Sequence, residues 1–168
     1  MICCVTGHRP EGFPFPRNQA SIPFIQYKQA LARNIEDLIL NGYDHFITGM
    51  AEGADRDFAR LVLQYKVKYP HIQLEAALPY PFRASPYASE SAREKAFILA
   101  RCDMVREVSS AYYQGCMQKR NIYMVDKADL VLAVWNGTER GGTWNTISYA
   151  RRQGRPIRYL ALKPSRIG

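Results

Sequence analysis

The chain has 168 residues, of which 47% are hydrophobic and 23% charged, enough apolar side chain for one domain with a sizeable core and too much for a disordered chain. No apolar run approaches the roughly 20 residues that span a bilayer, and the first residues lack the basic-then-apolar order of a signal peptide, so the expectation is a cytoplasmic protein with no membrane partner. A net charge of +8 predicts attraction to anions, although Lys and Arg spread along a chain also serve solubility alone.

Residues 1–5 are a short apolar run and read as the first strand. Thr6-Gly7-His8-Arg9-Pro10 follows at once. Gly7 lets the chain turn at the strand end. Arg9 offers a fork for a phosphate, and His8 a ring donor or an acid–base group. The alternative is a plain turn with two exposed polar residues. Position favours a ligand, because ligands of open α/β sheets sit beyond the carboxyl ends of the strands. Residues 11–23 are proline-rich and read as an irregular loop, a candidate lid.

Residues 24–41 carry Ile25, Leu31, Ile35, Leu38 and Ile39 at helical spacing, ended by Asn41-Gly42. Residues 43–48 are the second strand. Thr48-Gly49-Met50-Ala51-Glu52-Gly53-Ala54-Asp55 then turns into a helix over 54–69, which stops at Pro70. Asp55 lies in the first helical turn, where the dipole favours a carboxylate; the functional alternative is a hydrogen bond to a ribose hydroxyl or to a neighbouring loop. Glu52, inside the turn, has less structural reason to be there and is the carboxylate candidate for ligand contact.

Residues 72–78 form the third strand, ended by the stiff Pro79-Tyr80-Pro81-Phe82-Arg83. Tyr80 and Phe82 can stack on a base and Arg83 can reach a phosphate, but aromatics beside prolines more often pack. Residues 89–102 read as a helix with Arg93, Lys95 and Arg101 on its basic side. Residues 104–108 are a shorter strand, and residues 116–127 a helix. Of the four cysteines, Cys3 and Cys4 point to opposite faces of a strand, and Cys102 and Cys116 stand alone. With no Cys-x-x-Cys pair and three scattered histidines, no metal and no permanent cofactor is expected.

Residues 129–135 end in an apolar run suited to a strand buried on both faces. Asn136-Gly137-Thr138-Glu139-Arg140-Gly141-Gly142-Thr143 is a turn, and residues 144–154 have helical spacing, closed by Gly154 and Pro156. Strand, glycine loop, helix is a geometry that binds phosphate, since free N–H groups and the helix dipole point at the loop. Gly141 and Gly142 allow close backbone approach. Thr143 can cap the helix and offer a hydroxyl, and Asn136 can fix the loop through its own backbone. Residues 156–162 are the last strand.

Strands and helices therefore alternate about six times. That predicts a single Rossmann-like domain over residues 1–168, a three-layer α/β/α sandwich with a mainly parallel sheet. Three strands end in glycine loops, at Gly7, Gly49 and Gly141-Gly142. None is a Gly-x-Gly-x-x-Gly or Walker motif, which argues against a dinucleotide dehydrogenase and a P-loop NTPase.

Thr6-Gly7-His8-Arg9-Pro10, Gly49-Met50-Ala51-Glu52-Gly53-Ala54-Asp55, Ala77-Leu78-Pro79-Tyr80-Pro81 and Ala133-Val134-Trp135-Asn136-Gly137 with Gly141-Gly142-Thr143 together resemble the YpsA group of the SLOG (Smf/DprA–LOG) superfamily. The resemblance covers nearly the whole chain and implies a nucleotide-type ligand over the glycine loops. It also allows a homodimer. The middle motif is similar to the Gly-x-Ala-x-Gly-x-Asp stretch of DprA proteins, which bind single-stranded DNA. LOG phosphoribohydrolases carry Pro-Gly-Gly-x-Gly-Thr-x-x-Glu; here the further glycine is missing and Thr146 stands where the catalytic Glu would follow.

The leading expectation is a sensor or regulatory protein that binds a nucleotide or nucleotide derivative. Gly141, Gly142 and Thr143 would hold a phosphate, Gly7, His8 and Arg9 would close its other side, and Gly49, Glu52, Gly53 and Asp55 would lie nearer the ribose. Asn136 fixes the loop, while Tyr80, Arg83 and Thr146 are additional candidates. One alternative is LOG-like N-glycosidic cleavage with Glu52 as a surrogate carboxylate. Another is DprA-like binding of single-stranded DNA, which the charge supports and the scattered aromatics do not.

Overall fold

The computed structural model describes residues 1–164. The last four residues of the expected 1–168 domain lie outside the described residues. Six strands form one all-parallel sheet: β1 (Ile2–Gly7), β2 (His45–Thr48), β3 (Gln73–Leu78), β4 (Met104–Glu107), β5 (Leu130–Trp135) and β6 (Ile157–Ala161). The helices between them are α1 (Ile22–Leu40), α2 (Ala54–Lys68), α3 (Glu90–Leu99), α4 (Cys116–Lys127) and α5 (Gly141–Arg152). The spatial order is β4-β3-β2-β1-β5-β6. The chain winds outward from β1 to β4, returns to the centre, and adds β5 and β6 on the other flank. The direction reverses between β1 and β5, where Cys3 pairs with Leu130 and Gly7 with Val134. This is the Rossmann-like three-layer architecture, with its topological switch point at those two strand ends.

Two apolar layers follow from the period-2 alternation of the central strands. Cys3, Val5, Phe46, Leu74, Ala76, Leu132 and Val134 face the layer of α1, α2 and α3. Cys4, Ile47, Ala77 and Val131 face α4 and α5. The expected placement of Cys3 and Cys4 on opposite faces is therefore observed. Fully buried side chains such as Phe46, Phe58, Leu31 and Leu132 each contribute about 1.5–3 kcal/mol.

α1 buries Phe24, Tyr27, Leu31, Ile35 and Leu38 at intervals of three or four. Ser21 caps it, its Oγ accepting from the Phe24 N–H at 3.4 Å. α2 has Asp55 and Asp57 in its first turn and Lys66 and Lys68 in its last, complementing the helix dipole at both ends. Among the described residues no helix is long and apolar enough to cross a membrane.

Three expectations shift. β1 runs on to Gly7, two residues beyond the expected end, because Thr6 and Gly7 still pair with Ala133 and Val134. α5 begins at Gly141, not after a Thr143 cap; Arg140 is the N-cap position and no side chain caps it. The segment 11–23 is held down: Phe13 and Phe15 are buried against Tyr27, and Arg17 grips Asp57 through two hydrogen bonds of 2.8 and 3.2 Å.

Candidate functional site

A cleft of about 290 Å³ opens at the switch point, between the end of β1 and the start of α5. Gly7, His8, Arg9, Asp55, Gly141, Gly142 and Thr143 all line it, so most of the expected site residues converge. The first N–H groups of α5 face it without a side-chain cap. Gly141 takes a φ of +84°, and a Cβ on either Gly141 or Gly142 would meet open space. The room at these glycines is thus available to a ligand.

His8 is half-buried. Its Nε2 accepts from the Asn136 backbone N–H at 3.2 Å, so the neutral ring carries its proton on Nδ1. Burial lowers the His8 pKa, opposed by Asn136. The imidazole is therefore neutral at pH 7 and offers a hydrogen bond more than a charge. Asn136 fixes its own loop as expected: Oδ1 accepts from the Thr138 N–H at 2.9 Å, while Nδ2 donates to the Gly12 carbonyl at 3.0 Å.

The Gly49–Asp55 turn is strapped internally. Thr48 Oγ1 donates to the Asp55 carbonyl at 2.9 Å and accepts from the Met50 N–H at 3.2 Å. Met50, buried, is held at a φ of +60°, a left-handed conformation that costs a non-glycine residue roughly 1 kcal/mol or more. Gly53, at φ +93°, lets the turn approach the His8 carbonyl so closely that a Cβ would lie 2.4 Å from it. Its role is to dock the two loops together.

Asp55 is buried. Burial raises its carboxyl to about 6, against the pull of Arg120, the Ala51 N–H, Arg9 and Arg56. Arg120 is the residue that the sequence reading missed. It reaches from α4 across the sheet edge to donate to the Gly49 carbonyl, and to that of Ala77 at 3.4 Å. Glycine leaves room for this pair, because a Cβ at position 49 would fall 2.6 Å from Arg120 Nη1 and 2.8 Å from Asp55 Oδ2 and push them aside. A signal existed: Arg120 falls in the buried stripe Cys116, Arg120, Met124, where an apolar residue is expected. A second, smaller cleft of about 100 Å³ shares Arg9 and Arg120 with the first and continues to Tyr80, Phe82 and Lys95.

Other candidates lie elsewhere. Glu52 lines a separate cleft with Arg56, and its Oε1 accepts from Ser91 Oγ of α3 at 2.6 Å. That contact supplies the structural reason that the sequence reading found lacking. Thr146 is buried and donates back to the Gly142 carbonyl at 2.9 Å, steadying the glycine turn from below. Arg83 is exposed and lines neither of the two clefts. Tyr80 packs edge-on against Tyr112, with ring centroids 5.7 Å apart.

The profile of the YspA SLOG family matches residues 3–162. The chain belongs to that family. Its relatives include a UPF0398 protein of Halalkalibacterium halodurans, 28% identical over 155 residues, covering 90% of this chain and 81% of the relative. A UPF0398 protein of Bacillus thuringiensis is 24% identical over 156 residues, covering 91% and 84%. Among solved structures, DNA processing protein A from Helicobacter pylori matches 100% of this chain and 67% of its own, with a TM-score of 0.64 at 16% identity. That likeness shows the fold. The neighbour is described as binding single-stranded DNA.

Proposed function

We propose that this protein binds a nucleotide or nucleotide derivative by its phosphate, in the cleft between β1 and α5. One observation carries the reading: an uncapped helix N-terminus faces a cleft at the switch point, lined by Arg9, Arg120 and Arg140. Arg9, Arg120 and Arg140 have no salt-bridge partner among the described residues. Backbone N–H groups, helix dipole and guanidinium forks all favour a phosphate there. Asp55 and the neutral His8 supply an acceptor and a donor for a hydroxyl beside it. N-glycosidic cleavage by Glu52 has less support, since that carboxylate is engaged by Ser91 in another cleft.

The test is thermal unfolding with a panel of nucleotides and nucleotide sugars. A ligand at 100 times its Kd stabilises by about 2.7 kcal/mol, roughly 5–10 °C for a domain of this size. Gly142→Val should abolish that shift and leave the unliganded Tm unchanged, because the new side chain enters open space. A panel without any shift refutes the reading.

The likeness to DNA processing protein A favours a second reading, binding of single-stranded DNA. Fluorescence anisotropy with a labelled oligo-dT separates the two. Affinity that falls steeply with salt supports DNA, and none at low salt removes it.

A further inference from the structure

The smaller cleft is the part of this edge that a single phosphate does not use. It is walled by Arg9, Arg120 and Lys95, and no Asp or Glu lines it. Arg120 is 6% exposed. Its Nε donates to Asn121 Oδ1 at 2.8 Å and its Nη1 to the two carbonyls, while Nη2 has no protein partner among the described residues. Nη2 is not sealed off from solvent, so it is open to an anion entering the cleft.

Lys95 adds a second, independent sign. Lys66, Lys68 and Lys127 each pair with a carboxylate within 2.7 Å. Lys95 pairs with none among the described residues and lies over the Phe82 ring at 4.8 Å. Burial, with Arg56, Arg120 and Arg9 nearby, lowers its pKa to about 8. Lys95, Arg9 and Arg120 line one small cleft, and like charges gathered there repel until an anion joins them.

We propose that this cleft is a second anion subsite, so that the ligand carries two anionic groups, as a nucleoside diphosphate does. The proposal rests on the phosphate reading of the larger cleft. Arg9 and Arg120 line both compartments and so bridge the two groups. At about 100 Å³ the smaller compartment suits a phosphate or carboxylate and not a purine beside it. The body of the ligand then lies in the larger one.

The experiment is calorimetric titration of the whole protein with AMP and ADP, in the wild type, Lys95→Met, Lys95→Arg and Gly142→Val. ADP should bind the wild type at least tenfold tighter than AMP. Lys95→Met should erase that margin and leave AMP affinity within about twofold, and Lys95→Arg should keep most of it. Gly142→Val should weaken both ligands. A Lys95→Met protein that retains the full ADP margin overturns the second subsite and leaves the phosphate reading standing. Failure of both nucleotides to bind the wild type overturns the two together.

Discussion

Two of the buried carboxylates, Glu75 in a strand and Asp55 in the first turn of α2, have surroundings that differ in kind. Glu75 of β3, 1% exposed, is ringed by donors on the α4 side: His45 Nε2 at 2.6 Å, Tyr123 OH at 2.6 Å and Lys127 Nζ at 2.7 Å. Burial acts to raise its carboxyl, and these hydrogen bonds override it, holding it down to about 2. Asp55, at the carboxyl edge, receives one long hydrogen bond, from the Ala51 N–H at 3.3 Å, and burial wins. One region is a closed polar knot with charge matched to charge. The other holds cations in excess and an acid poised between its two forms. The first describes a group whose role is completed by folding; the second, a region whose unmatched charges are the ones the proposed ligand would use.

The largest expected effect breaks the knot. Glu75→Gln should cost about 3–5 kcal/mol at pH 7, because it leaves Lys127 and Tyr123 facing a neutral amide. Its pH dependence has a definite sign. A folded pKa near 2 against an ordinary 4.5 means that the stabilisation is present above about pH 4.5 and lost as the pH falls toward 2. Denaturant unfolding of wild type and variant should therefore converge at acid pH, and a constant gap would contradict the pairing.

Asp55→Asn should show the opposite trend. A folded pKa near 6 against an ordinary 3.8 penalises the wild type as the pH rises between those values. The wild type's stability relative to the variant should fall by roughly 3 kcal/mol from pH 3 to pH 7. A rise over that range would show that Arg120 neutralises Asp55 fully and that the two regions are alike. The smallest effect expected is at the rim of the knot. Tyr123→Phe removes one neutral donor from Glu75 and should cost about 1 kcal/mol, measured as a lower denaturant midpoint at unchanged m-value.

Much of this was legible in the sequence because its signals are local. Apolar runs bounded by Gly and Pro gave the strands their places, and a glycine directly after a strand marked Gly7, Gly49 and Gly141-Gly142 as edge loops. Arg9 and His8 were readable for the same reason, lying next to a strand end. Arg120 and Lys95 were not, since each looks like one more basic residue on a helix. Their importance comes from which helix packs where, a long-range property. Glu52 shows the same limit: Ser91, which engages it, is 39 residues away in sequence. The knot went unnoticed because a lone Glu in an apolar strand declares its donors only once α4 lies over the sheet.

The order of the strands has a further consequence for how the chain is made. β1 lies between β2 and β5, and Cys3 finds its second neighbour only in Leu130. At about 5–20 residues per second, synthesis of residues 49–129, between the end of β2 and the start of β5, takes roughly 4–16 s. Through that interval the nascent chain carries a half-built sheet whose central strand is still an open edge. Its early products are therefore exposed to strand addition by neighbouring chains and to chaperones, and the ribosome's pace over residues 49–129 sets how long that exposure lasts.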